Sequence, residues 1–264
     1  MKKILIPLIV ISMIIFIFVA KNKQLPEKEL INEAQLYSVL WHQTAAEYHA
    51  LSYQAYNLAT LRLNEDIARN QDHPKAVIVD VDETVLNNSA YNAREMLGLA
   101  SYPQGFYDWI AEAEGSVIPG ALEFLKYADD NGYEIFYITN RNIRGKEGTI
   151  RNLLKYDFPQ ADTVHVLCKE ENNSKQNRRE MVAENYEIVL LIGDNLIDFS
   201  EVFKNRPVAE RFEMVEKFKT EFGKKFIMLP NSMHGEWLKA LIDYDRSQSD
   251  EIKLKKMLNY LRTE

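Results

Sequence analysis

The stretch Ala76-Val77-Ile78-Val79-Asp80-Val81-Asp82-Glu83-Thr84 constrains this chain more than any other. Val77 to Val79 is a β-branched apolar run, and Val81 continues it past Asp80. A short run of this kind predicts a strand of a parallel sheet, buried on both faces. It stops in two carboxylates, Asp80 and Asp82, at the edge of an open α/β sheet where ligands bind. Carboxylates at i and i+2 stand apart unless the strand is breaking up. If it is, both can converge on one metal ion and one phosphate. Asp-x-Asp is also common in turns, so the pair alone does not decide between a turn and a site.

Later segments repeat the pattern of apolar run, polar end and helix. Tyr133 to Ile138 ends at Thr139-Asn140-Arg141 and precedes a helix from about Gly145 to Tyr156. Pro119-Gly120 opens a helix over Ala121 to Asn131 that Gly132 ends. Val164 to Cys168 reads as a strand, followed by a polar segment in which Lys175, Arg178 and Arg179 begin a helix. Ile188 to Ile192 is almost wholly apolar and ends in Gly193-Asp194-Asn195-Leu196-Ile197-Asp198, where Gly193 permits close backbone approach. Asp194 and Asp198 join Asp80 and Asp82 in a set that would repel strongly unless a hard divalent cation sat among it. The expected fold is α/β: a Rossmann-like parallel sheet with helices on both faces and a small helical subdomain. The subdomain combines N-terminal helices with an insert after the first strand. Leu30, Ala34, Tyr37, Trp41, Ala45 and Tyr48 follow a helical period, and a second run carries Tyr56, Leu58, Leu61 and Leu63, so residues 27–69 predict one long helix or two stacked ones.

The strings DVDET, GDNLIDF, PGALEFLKYA and LWHQTAAEYHALSYQAYNLA resemble those of the haloacid-dehalogenase-like phosphatases. The closer resemblance is to the lipoprotein e(P4)-like class C acid phosphatases. That resemblance implies hydrolysis of phosphate monoesters with Mg2+ held by the Asp80 and Asp194 carboxylates and the Asp82 backbone carbonyl. Asp198 would stand behind the metal and orient its water. Asp80 would be the nucleophile and Asp82 the general acid and base. The acid needs a raised pKa, to which neighbouring carboxylates would contribute; the nucleophile does not. Thr139 and Lys175 would hold phosphoryl oxygens, with Asn140 beside them and with Lys169 and Arg178 as alternatives to Lys175. In the insert, Phe106 and then Trp109 are candidates for stacking a nucleobase, against the alternative of an aromatic packing cluster. His234 stands where the family's LPN…YGxW segment has a Tyr, and it could still stack. Nucleotide substrates are permitted by these aromatics but not required.

Charge narrows the partners. The net charge is -7 and no long basic patch is visible, so a nucleic acid polymer is not an expected partner. Cys168 is the single cysteine, which leaves no intrachain disulfide and no cysteine cluster for zinc. Met1-Lys2-Lys3 followed by the uncharged run Ile4 to Ala20 reads as an uncleaved membrane anchor in preference to a cleaved signal. An exported protein is expected, at the cell surface or secreted if the segment is cleaved. The family name implies a lipid-modified cysteine after this segment, and none is present. The expected organisation is 1–23 anchor or signal, 24–72 helical segment, and 73–264 phosphatase core with 87–117 on the substrate side. A homodimer is a further expectation, since the family includes dimers. Two other activities stay open at this point: a phosphotransferase using the same aspartyl chemistry, and a non-catalytic surface binding or storage protein.

Overall fold

The computed structural model describes residues 27–69, 73–171 and 173–264. Two helices, α1 (Glu27–Thr44) and α2 (Ala46–Ile67), come first, and the break between them is Ala45, whose backbone is extended. Five parallel strands follow: β1 (Lys75–Val79), β4 (Glu134–Asn142), β5 (Val166–Lys169), β6 (Glu187–Gly193) and β7 (Phe226–Met228). Their order in the sheet is β5-β4-β1-β6-β7. The chain runs outward from β1 through β4 to β5, then crosses back to β6 beside β1. The order of the strands therefore reverses between β1 and β6, and an open sheet has its ligand crevice at the carboxyl ends of such a pair.

Alternate side chains of β1 explain why both faces are covered. Val77 and Val79 enter one core with Tyr56 and Leu63 of α2, Phe124 and Leu125 of α5 (Ala121–Asp130), and Leu153 of α6 (Lys146–Lys155). Ala76 and Ile78 enter the other, with Val182 of α7 (Lys175–Ala183), Phe199 and Phe226, against which Phe218 of α8 (Val208–Phe218) packs. All five residues of β1 are buried, so the apolar run is accounted for by a strand with no solvent face.

Between β1 and β4 the chain makes an insert. β2 (Leu86–Asn87) pairs antiparallel with β3 (Ser116–Val117), and α3 (Ser89–Met96) and α4 (Gln104–Glu112) lie between them. α1 packs on α3 and on the C-terminal α10 (Asp250–Leu258), which follows the short α9 (Glu236–Leu241). The helical period assigned to α1 is only partly the buried one: Tyr37 is 73% exposed, whereas Val39 and His42 are buried. Leu30 and Ala34 of that period lie outside the described side chains. In α2, Leu61 likewise faces solvent while Tyr56 and Leu63 are buried.

The membrane, expected as a partner through Ile4–Ala20, is withdrawn. Among the described residues no helix is long and apolar enough to cross a membrane, and Ile4–Ala20 itself lies outside them.

Candidate active site

The carboxyl ends of β1 and β6 deliver the first group of side chains. Asp80 follows β1 directly, and its N–H still donates to the Ile192 carbonyl at 2.9 Å, so the ladder fixes its position one residue beyond the strand. Asp194 follows Gly193 at the end of β6. Asp198 returns to the same point through a tight turn, Leu196–Asp198, in which the Asn195 N–H donates to Asp198 Oδ2 at 2.9 Å. Gly193 makes that return possible, since a Cβ there would lie 2.4 Å from Asp198 Cβ. Carboxylate oxygens of Asp80, Asp194 and Asp198 all lie within 4.8 Å of one another, and all three residues are buried.

Lys175, the first residue of α7, faces this group. The Ser174 side chain caps that helix, and the ammonium donates to Asp80 Oδ1 and, at 2.6 Å, to Asp198 Oδ1. One cation against three buried carboxylates leaves an excess of negative charge. Burial, with Asp198 and Asp82 adding to it against the pull of Lys175, raises the Asp80 pKa to about 7. Burial with the Asp198 and Asp80 charges raises Asp194 well above the carboxylate range. Three hard oxygen donors within 4.8 Å of one another are a donor set suited to Mg2+ or a similar cation. Asp198 was expected behind the metal; its carboxylate lies close enough to those of Asp80 and Asp194 to be a candidate ligand as well.

Asp82 is held in a different environment. Its Oδ1 accepts from Arg141 Nε at 2.9 Å and from Asn88 Nδ2 at 2.9 Å, and a second Arg141 nitrogen lies at 2.8 Å. Burial pushes its pKa up, but the Arg141 guanidinium overrides this and the carboxyl titrates below its ordinary value. The expected order is thus reversed in this state: the proposed nucleophile is raised and the proposed acid lowered. The Asp82 side chain is not among the three clustered carboxylates, so only its backbone remains a candidate metal ligand.

Thr139 was expected to contact a phosphoryl oxygen. It lies within β4, which runs on to Asn142 past the last pairing with β1 at Tyr137. Its hydroxyl is buried, accepting from the Arg141 N–H at 3.1 Å and reaching Asp82 Oδ2 at 3.4 Å. It supports Asp82 from behind, and Thr139 does not line the cavity, whereas Asn140 and Lys175 do.

The cavity over these groups has a volume of about 400 Å3. Phe106 lines it together with Tyr91 and Tyr102. Trp109 does not: it is 4% exposed, and its indole N–H donates to Asn88 Oδ1 at 2.8 Å. The stacking expectation therefore narrows to Phe106. His234 lines the cavity and pairs through Nε2 with Glu83 Oε2 at 2.5 Å. Burial would lower the His234 pKa, but Glu83, then Asp194 and Asp82, raise it to about 9. A ring tied in an ion pair is less free to stack than the tyrosine it replaces. Glu83 is buried and has φ +56, a left-handed conformation that a side-chain-bearing residue adopts at some cost.

Several site residues were not singled out from sequence. Asn231 donates to Asp194 Oδ2 at 2.7 Å. His42 of α1, 1% exposed, accepts the Ser232 N–H at 3.2 Å, and Ser38 Oγ donates to Ser232 Oγ at 2.9 Å. The N-terminal helix thus fixes the loop that carries Asn231 and His234. Arg178, offered as an alternative to Lys175, is buried and does not line the cavity, and Arg179 is buried as well. Arg178 donates to the Thr139 and Leu167 carbonyls and Arg179 to those of Ile197 and Asp198, so the basic run begins a helix that clamps strand ends. Lys169, an alternative for the phosphate lysine, is exposed and does not line the cavity.

The comparisons agree with this arrangement. Solved structures of the class C acid phosphatase from Bacillus anthracis, one of them with tungstate bound, align with a TM-score of 0.84 and 40% identity, covering 88% of this chain and 98% of theirs. Acid phosphatase 1 of Solanum lycopersicum is 26% identical over 129 residues, 46% of this chain and 50% of that protein. The stem 31 kDa glycoprotein of Glycine max is 25% identical over 137 residues, 49% of this chain and 54% of that protein. The chain spans about half the length of these curated relatives. Residues 18–237 match the family model described as HAD superfamily, subfamily IIIB (acid phosphatase), and with the fold and the strand-end carboxylates in place, the chain belongs to that family.

Proposed function

We propose that this protein is an exported phosphatase that hydrolyses phosphate monoesters, with 5′-nucleotides among its substrates. The observation that carries the reading is the meeting of Asp80, Asp194 and Asp198 within 4.8 Å at the floor of a cavity that also presents Lys175. Tungstate is a tetrahedral oxyanion, as phosphate is, and its presence in a relative 40% identical to this chain supports oxyanion binding by this fold. Export rests on the basic-then-apolar character of the N-terminal sequence. Nucleotide preference rests on Phe106 in the cavity wall.

Asp80, Asp194 and Asp198, with the Asp82 backbone, would hold Mg2+, which supplies positive charge for the phosphoryl oxygens. The Asp80 carboxylate attacks phosphorus, the bond from phosphorus to the leaving oxygen breaks, and an aspartyl-phosphate forms. Asp82 gives its proton to the leaving oxygen. It then takes one from the water that attacks the aspartyl-phosphate, freeing phosphate and Asp80. Arg141 lowers the Asp82 pKa in the free protein, and the approach of a phosphoryl dianion would raise it again. Lys175 stabilises charge on the non-bridging oxygens, with Asn140 as a second donor. Thr139 and Arg141 keep the Asp82 carboxyl aimed.

The test is phosphate release from p-nitrophenyl phosphate and adenosine 5′-monophosphate, with Mg2+ and with a chelator. The reading expects Mg2+-dependent release from both. Absence of release from either substrate at any pH with Mg2+ present would refute it.

A further inference from the structure

The cavity is lined by the basic side chains Arg141, Lys175, His234, Lys239 and Arg246. Four of the five are already neutralised. Arg141 pairs with Asp82, Lys175 with Asp80 and Asp198, His234 with Glu83, and Lys239 with Glu236. Arg246 is exposed, and among the described side chains it forms no ion pair. The rest of the wall is rich in carboxylates, which repel a second anion everywhere except beside an unneutralised cation.

The backbone holds Arg246 at this rim. After α9 the chain turns through Asp243 and Tyr244, consecutive residues with φ +52 and +63, in a region that residues other than glycine rarely occupy. The turn is tied down on three sides. The Tyr244 hydroxyl donates to the Arg206 carbonyl at 2.9 Å, Gln248 Nε2 donates to the Ile242 carbonyl at 3.2 Å, and Lys256 bridges to Asp243 at 2.6 Å. Strained backbone that its surroundings hold in place occurs preferentially at functional sites. The turn delivers a guanidinium, the side chain best suited to grip phosphate or carboxylate through two parallel hydrogen bonds, to the cavity that contains Asp80.

We propose that Arg246 binds a second anionic group, carried on the leaving-group side of the substrate. Preferred substrates are then phosphate monoesters whose alcohol portion itself bears a phosphate or a carboxylate. A nucleoside 3′,5′-bisphosphate is the nucleotide of that kind, and a cavity of about 400 Å3 is within the range for binding a small organic molecule. The scissile group goes to Lys175 and the metal site, and the second anion finds the one described cavity cation that has no carboxylate of its own. This proposal rests on the phosphatase reading above and adds the class of substrate to it.

The experiment compares kcat/KM for 5′-phosphate removal from adenosine 3′,5′-bisphosphate and from adenosine 5′-monophosphate, products being separated chromatographically. The natural protein, Arg246→Ala and Arg246→Glu are measured, with thermal unfolding confirming that each variant is folded. A second pair, 4-carboxyphenyl phosphate and phenyl phosphate, separates a carboxylate from a phosphate as the second anion. The natural protein is expected to favour the doubly anionic member of at least one pair about ten-fold, the size of one charge-assisted contact. Arg246→Ala brings that ratio to near one and Arg246→Glu takes it below one. Ratios that are the same in all three proteins overturn the proposal, as does a natural protein with no preference in either pair. If no phosphate is released from any compound, the phosphatase reading fails by itself. Calorimetric binding of the two adenosine nucleotides to the same three proteins then decides on Arg246 by the same ratio.

Discussion

Asp80 and Asp82 are two residues apart, yet their surroundings act on them in opposite directions. Asp80 sits among carboxylates with one ammonium against it, and its pKa is raised to about 7. Asp82 is gripped by a guanidinium and an amide, and its pKa is lowered. The difference comes from neighbours far along the chain: Asp198 and Lys175 for the first, Arg141 for the second. The proposed mechanism uses the difference: a cation would displace the proton from Asp80, and an approaching anion would favour the protonated form of Asp82. Identical side chains in one motif thus titrate in opposite directions because of where the fold puts them.

Removing each carboxylate breaks this contrast from either side. Asp80→Asn deletes the nucleophile and is expected to lower kcat by at least about 10,000-fold; a purified variant with normal turnover would remove Asp80 from that role. Asp82→Asn deletes the acid and base at an expected cost of about 100- to 10,000-fold in kcat. Calorimetry should find its Mg2+ binding retained, because its side chain is outside the three-carboxylate group. Loss of Mg2+ binding in Asp82→Asn would mean that the side chain serves as a ligand.

Arg141→Gln tests the comparison at its cause. Without the guanidinium, the half-buried Asp82 keeps only the Asn88 amide and the Thr139 hydroxyl as donors, so its pKa rises and the limb of the pH–rate profile that it governs moves to higher pH. A lowered folded-state pKa contributes stability above the unfolded value and loses it as pH falls through the folded one, so the variant forfeits that contribution at neutral pH. The guanidinium is buried and the carboxylate 18% exposed, so the cost is on the order of 2 kcal/mol, below that of a fully buried pair, and chemical denaturation at pH 7 measures it. An unmoved pH profile would show that Arg141 does not set the protonation of Asp82.

The raised Asp80 has the opposite sign. Its pKa is about 7 against an ordinary value of 3.8, so between these values the native state holds a proton that the unfolded chain has released. Without metal, its contribution to stability therefore falls as pH rises from about 4 to about 7, on the order of a few kcal/mol in all. His42 runs the other way, being lowered to about 4 chiefly by burial, so that stability is lost as pH falls from 6.5 toward 4. The two overlap in pH, and only the difference between natural protein and Asp80→Asn isolates the first. In chelator, the melting temperature of Asp80→Asn is expected to exceed that of the natural protein by a margin that grows from pH 4 to pH 7 and shrinks when Mg2+ is added. A margin independent of pH would remove the carboxylate excess as its cause.

What the residues disclosed beforehand, and what they hid, follows the same division. Asp80, Asp194 and Gly193 were legible because each ends a run of apolar residues long enough to read as a strand. Lys175 was singled out through the family resemblance, which implies a lysine near a helix start. Arg141 stands next to Thr139 and Asn140, but nothing local says that β4 continues to Asn142 while its register against β5 shifts between Ile138 and Asn142. That shift determines which side chain reaches Asp82. His42 carries no mark in the apolar period of α1, and its partner Ser232 is 190 residues away, a contact that only the finished packing creates. The pairing of β2 with β3 spans two residues on each side, too few for alternation to show. Trp109 stays open in sequence between a stacking ring and a packing ring, because an aromatic cluster looks the same whether it faces a ligand or a core.

Trp109→Phe gives the smallest expected effect and separates those two meanings. The indole N–H is a donor to Asn88 Oδ1, which also accepts from Arg141 at 3.2 Å, and the Asn88 amide in turn holds Asp82. Phenylalanine keeps most of the buried apolar surface and removes one hydrogen bond, worth about 1 kcal/mol. Asn88 retains Arg141 as a partner, so Asp82 is loosened but not released. The expected result is a fall in kcat of about five-fold or less, equal for p-nitrophenyl phosphate and adenosine 5′-monophosphate, with KM hardly changed for either. A ring that stacked on the base would behave otherwise, raising KM for the nucleotide and leaving the nitrophenyl ester alone. Phe106→Ala is the matching control, since Phe106 does line the cavity. It should produce the nucleotide-selective rise in KM that Trp109→Phe does not.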